Sequence, residues 1–136
     1  MEPLSIGPKW VEVNLDAIKY NYEQIRLGLN KNVRLLGVVK ADAYGLGALE
    51  VAHTLEKLGV EMLGVTTVQE GSGLRKGHIA VPILVFGPFL PEDVKTILED
   101  ELTVTLANYE SLNWLKEALS ESKRTVRVHL KHSCNE

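Results

Sequence analysis

Val38-Val39-Lys40-Ala41-Asp42-Ala43-Tyr44-Gly45-Leu46-Gly47 is the stretch from which the rest of the chain is read. Apolar residues from Leu35 to Val39 run straight into a lysine and then into a turn with two glycines. A short apolar run that ends in turn residues is the pattern of a strand buried on both faces, as in a parallel sheet. It predicts a strand over Arg34–Lys40 with an amine at its C-terminal end, where α/β enzymes gather their reactive groups. Such an amine can be desolvated, lose its proton near neutral pH and attack a carbonyl. It can equally be a strand-end lysine whose ammonium snorkels to water.

Upstream, Trp10 to Leu15 alternates apolar and polar residues and reads as a half-buried strand. Asp16 is then the expected cap of a helix with the stripe Ile18, Tyr22, Ile25 and Leu29. Downstream, Ala48, Val51, Ala52, Leu55 and Leu58 share one helical face, and Gly59 stops that helix. Strands are expected at Met62–Val65, Pro82–Phe86, Leu102–Leu106 and Thr125–Lys131. A helix weakened by Gly71 and Gly73 is expected over Val68–Lys76, the glycines marking a loose start. Another starts at Pro91 and buries Val94, Ile97 and Leu98. A third, capped by Asn108, carries Leu112, Leu115 and Leu119.

Strands and helices thus recur about every 20 to 25 residues from the lysine strand onward, which implies parallel pairing. The fold class is α/β: a partial TIM-type (β/α)8 barrel of about five parallel strand-helix units, preceded by an N-terminal strand and helix. A complete barrel needs about 200 residues or more, so 136 residues supply only part of one, or else a small open sheet.

Bulk properties exclude several classes of function. With 45% hydrophobic and 24% charged residues the composition is that of a globular domain. A net charge of −3 without a basic stripe argues against nucleic acid. A single cysteine, Cys134, excludes an intrachain disulfide and suits a reducing compartment. The segment MEPLSIGPKW is not built as a signal peptide, and no apolar run approaches the roughly 20 residues of a membrane span. A cytoplasmic location is therefore expected. His53, His78, His129 and His132 show no metal-ligand spacing, so no metal site is expected. Trp10, Tyr20, Tyr22 and Trp114 are expected to be packing groups.

The chemistry concentrates around Lys40. Gly45 and Gly47 let backbone N–H groups approach a phosphate, and the Tyr44 hydroxyl can donate to the same group. An amine beside a phosphate perch suits pyridoxal phosphate, whose aldehyde condenses with lysine. Here the sequence closely resembles the pyridoxal-phosphate motif of bacterial alanine racemases. Trp10 to Ile18 with Asn21, Pro82 to Gly87, and Val128-His129-Leu130-Lys131 resemble further segments of that family in order and approximate spacing.

The resemblance covers residues 9–131 and implies the N-terminal part of an alanine-racemase-like barrel. It implies an isomerase that interconverts L- and D-alanine for peptidoglycan, with pyridoxal phosphate as cofactor and a homodimeric full-length protein. By it Lys40 is the Schiff-base lysine and one of two catalytic bases, and Tyr44 binds the cofactor phosphate. Lys131 is the lysine that is often carbamylated and helps orient an active-site arginine. Leu46 stands where the family usually has His. Residues 132–136, His-Ser-Cys-Asn-Glu, form a divergent tail where the family continues toward that arginine. The C-terminal β domain, with the tyrosine that acts as the second base, is absent from this sequence. A frameshift, a premature stop or an early-terminated fragment is therefore expected, and the chain alone is expected to be an inactive fragment. Other readings remain: a serine or lysine racemase, an amino-acid decarboxylase, or a non-catalytic cofactor-binding α/β module.

Overall fold

The computed structural model describes residues 11–120 and 122–132. Its centre is a five-stranded sheet of β1 (Leu36–Val38), β2 (Met62–Val65), β3 (Ile83–Val85), β4 (Thr103–Leu106) and β5 (Val128–Leu130). The strands lie side by side in chain order, and every neighbouring pair is parallel. Such an order has no reversal point, so the sheet is an arc of a barrel and not a doubly wound sheet.

Helix α1 (Leu15–Leu27) precedes β1. Helices α2 (Ala48–Lys57), α3 (Val68–Lys76), α4 (Val94–Glu99, after a 3-10 turn at Pro91–Asp93) and α5 (Tyr109–Ser120) connect successive strands. They cover one face of the sheet. Leu63, Val65, Ile83, Val85, Val104 and Leu106 point from that face into a single core with Val51, Leu55, Leu74, Ile97 and Leu115. Gly37 permits the close docking of α2, since a Cβ there would stand 2.7 Å from Leu55 Cδ1.

The opposite face carries the alternate residues. Gly64 pairs with Val38 and Leu84, and Leu84 pairs with Thr103. A Cβ on Gly64 would collide with the Phe86 ring, which therefore lies across that strand. Thr105 reaches back from the same face and donates its hydroxyl to the Val85 carbonyl at 2.8 Å.

The strand expected over Trp10–Leu15 is not formed in the described part of that span. Val11–Asn14 is irregular and Leu15 opens α1, while Trp10 lies outside the described residues. Alternation alone makes no strand where no neighbour offers a ladder. Asn14, not Asp16, caps α1: its Oδ1 accepts from the N–H groups of Asp16 (2.9 Å) and Ala17 (3.1 Å). The α1 stripe is shorter than expected, with Ile25 exposed and Leu29 beyond the helix end. Gly71 and Gly73 sit within α3, not at a loose start. Gly71 is buried there, and a Cβ would stand 3.1 Å from Leu102 Cδ1, so helix and strand approach closely. Tyr20 is exposed, whereas Tyr22 packs on the core and Trp114 meets Phe89 edge to face at 6.2 Å.

Candidate functional site

Strand β1 stops two residues before Lys40. Val39 is buried, and its N–H donates to the Gly64 carbonyl at 2.9 Å. The chain then reverses hand. Ala41, Asp42, Ala43 and Tyr44 have φ of 49°, 54°, 51° and 58° with ψ between 34° and 53°. Four successive non-glycine residues in the left-handed region form a turn that costs about 1–2 kcal/mol per residue before compensation. Strain of this kind is kept where the surroundings over-determine it, commonly at functional sites.

The compensation is visible. Ala43 is buried, and its N–H donates to the Val39 carbonyl at 3.0 Å. Gly47, at φ 90°, donates to the Asp42 carbonyl at 3.0 Å. The Asp42 side chain accepts from the Ala48 N–H at 2.7 Å, which joins the turn to the start of α2. On the other side, Glu70 Oε1 accepts from the Ala41 N–H at 2.8 Å. Glu70 Oε2 accepts from Thr66 and Thr67 at 2.7 and 3.0 Å, and the Thr67 hydroxyl oxygen accepts from the Glu70 N–H, closing a capping box on α3. Burial alone would push the Glu70 carboxyl up. The N–H groups of Ala41, Thr67 and Thr66 and the Thr67 side chain outweigh it and hold the group below its usual 4.5.

The turn brings Lys40 and Tyr44 to one side. The Lys40 ammonium lies 5.9 Å from the centre of the Tyr44 ring, within cation–π range. Lys40 is half-buried, and Tyr44 is 66% exposed. Lys131 is not part of this cluster. It follows β5 at the far edge of the sheet, exposed, with its N–H donating to the Leu106 carbonyl at 2.8 Å. Four strand spacings separate β1 from β5, roughly 19 Å along the sheet. Both lysines nevertheless stand at the C-terminal ends of their strands. His129 pairs with Thr105, so it shares the face opposite the helices. Cys134 lies outside the described residues.

Residues 13–135 match the family profile described as alanine racemase, N-terminal domain. The chain belongs to the alanine racemase N-terminal domain family. Among its relatives, alanine racemase 1 of Caldanaerobacter subterraneus subsp. tengcongensis is 42% identical over 127 residues, 93% of this chain and 32% of the relative. The alanine racemase of Nostoc sp. is 42% identical over 125 residues, 90% of this chain and 32% of the relative. The solved alanine racemase of Clostridium difficile 630 superposes with a TM-score of 0.88 at 35% identity, covering 93% of this chain and 33% of that one. The same racemase has been solved in complex with cycloserine. The chain spans about a third of the length of the relatives it matches.

As a member of the alanine racemase N-terminal domain family, the chain has the α/β architecture expected from its repeats. One residue of the site was not singled out in the sequence. Glu70 has a visible signal, the pattern Thr67-Val68-Gln69-Glu70 ahead of an apolar helix face, which is a capping-box signature.

Proposed function

We propose that the protein to which this chain belongs interconverts L- and D-alanine, with pyridoxal phosphate held covalently at Lys40. The observation that carries this reading is the left-handed turn, which sets one amine and one phenol side by side at the C-terminal end of β1. The membership of the chain in the alanine racemase family supports it. The donor set suits the cofactor: a primary amine for its aldehyde and a tyrosine hydroxyl for its phosphate. When bound, the group supplies an electron sink for the carbanion left on removal of an α-proton.

Lys40 anchors the group and, once its amine is free, takes or returns a proton on one side of it. Tyr44 donates its hydroxyl to the phosphate. Lys131, just past the end of the far strand, helps orient a residue of the completed site. Racemisation requires a second base on the other side, and the family resemblance assigns it to a tyrosine of a partner subunit. The 136-residue chain by itself therefore turns over alanine far below ordinary enzyme rates. The reaction takes place in the cytoplasm, and its product, D-alanine, serves peptidoglycan.

The test is a titration of the chain with pyridoxal phosphate, followed by borohydride reduction and peptide mapping. The expected result is a band near the visible edge and a reduced adduct on Lys40, both lost in Lys40→Ala. Equal spectra for the two proteins would remove the reading. Tyr44→Phe is expected to keep the adduct and weaken cofactor affinity by about tenfold, the worth of one hydrogen bond to a charged group.

A further inference from the structure

We propose that Glu70 is the positioning residue of this site: its carboxylate latches the peptide between Lys40 and Ala41 to the turn after β2 and so aims the Lys40 amine. The inference rests on the reading of Lys40 as the cofactor anchor and deepens it. The latch itself is carried by geometry. The Ala41 N–H that meets Glu70 Oε1 belongs to the peptide group on the carboxyl side of Lys40. That hydrogen bond is made by the first residue of the left-handed turn, where φ changes sign from −123° at Val39 to 49° at Ala41. The other carboxylate oxygen is held by two N–H groups of the neighbouring turn, Thr66 and Thr67. The two oxygens thus face donors from two successive strand-to-helix turns.

A carboxylate is required for this. With both oxygens accepting, glutamate satisfies three backbone donors at once. An amide has one oxygen and one NH2 group, so glutamine leaves either Ala41 or the Thr66–Thr67 pair facing another donor. Aspartate is one methylene shorter on the same helix. The side chain touches neither amine nor phenol in this structure. Its effect on chemistry runs through the backbone of Lys40.

The experiment compares the chain with Glu70→Ala, Glu70→Gln and Thr67→Ala. Two quantities are read: the sign of φ at residues 41–44, from backbone couplings and chemical shifts in solution, and the fraction of reduced pyridoxal-phosphate adduct carried by Lys40. Both Glu70 variants should lose the positive φ values, and their Lys40 adduct should fall by about tenfold or more, as when an orienting partner is removed from a ligating residue. Thr67→Ala deletes only the hydroxyl half of the capping box; it should melt earlier yet keep the turn and the adduct. Should Glu70→Ala fail to fold, Glu70→Gln, which keeps the size of the side chain, gives the same two readings. Retention of the left-handed turn and the adduct in Glu70→Gln would overturn the proposal. So would a loss of adduct in Thr67→Ala equal to that in Glu70→Ala, which would mean simple helix capping. A wild-type chain without adduct, whose turn still depends on Glu70, would sink the cofactor reading and leave the latch standing.

Discussion

At the scale of single residues the site is governed by carboxylates that hold backbone in place. Glu70 also gives the turn a pH dependence of definite sign. Its carboxyl titrates below the usual 4.5 in the folded chain, because three backbone N–H groups and the Thr67 side chain favour the charged form over the opposing effect of burial. A group with a depressed folded pKa contributes stability that is fully present above its unfolded value and lost as pH falls through the folded one. At neutral pH the contribution is intact. As the pH falls below the usual carboxylate range the contribution should weaken, and it should be lost, releasing the left-handed turn, once the pH passes below the depressed folded value. Melting temperatures measured as the pH is lowered should fall more steeply for the wild type than for Glu70→Gln. Parallel profiles for the two proteins would show that this carboxyl is not coupled to folding.

At the scale of elements, the same device recurs at the other end of the strands. Glu56 Oε1 accepts from the N–H groups of Ala80 and Val81, and Glu61 Oε2 accepts from Leu35 at 2.7 Å. Arg75 supplies the counterpart for carbonyls, donating to Asp100, Ile79 and Val81 at 2.9, 2.7 and 2.8 Å. It ties the end of α3 to the entrance of β3 and to the end of α4. Arg75→Ala should lower the unfolding free energy by about 2–3 kcal/mol, because part-buried carbonyls lose a charged donor. Arg75→Lys should restore little, since an ammonium lacks the forked geometry. Chemical denaturation with an unchanged slope checks both. The elements were largely legible in sequence because their signals are local: apolar runs for β2, β3 and β4, and caps such as Asn108, whose Oδ1 accepts from the Ser111 N–H at 2.9 Å. The N-terminal alternation misled because a strand also needs a neighbour to pair with, which no local pattern reports. The amine and phenol of the site were legible as chemistry, but their geometry was not. Ala41, Asp42, Ala43 and Tyr44 give no local sign of four successive positive φ values, since L residues hold such a run only where surrounding groups compensate for it.

At the scale of the whole molecule, the sheet is an open arc. β1 and β5 each have a single neighbour among the described residues. Val104 and Leu106 are buried, yet Val128 and Leu130, which pair with them, are 39% and 82% exposed. On the opposite edge Leu36 and Val38 are also exposed, beside an apolar groove formed with Ile18, Tyr22 and Ile25 of α1. The β5 edge carries its apolar residues on the side that the helices cover elsewhere, the β1 edge carries Leu36 and Val38 on the other side, and each unpaired parallel edge is a template for another strand. The chain in isolation should therefore self-associate, with the β5 edge of one copy adding to the β1 edge of the next. The contact joins two different edges, so it need not close into a dimer and can extend into larger species. Leu130→Lys places a charge on the exposed edge, where it costs little in the monomer and opposes pairing. Sedimentation velocity over rising concentration should show the wild type shifting to larger species and Leu130→Lys remaining nearer the monomer, with melting temperatures alike at low concentration. A wild type that stays monomeric at every concentration would show that the exposed edges are protected by their twist and shortness alone. Association undiminished in Leu130→Lys would move the contact to the α1 groove, where Ile25→Lys should then suppress it.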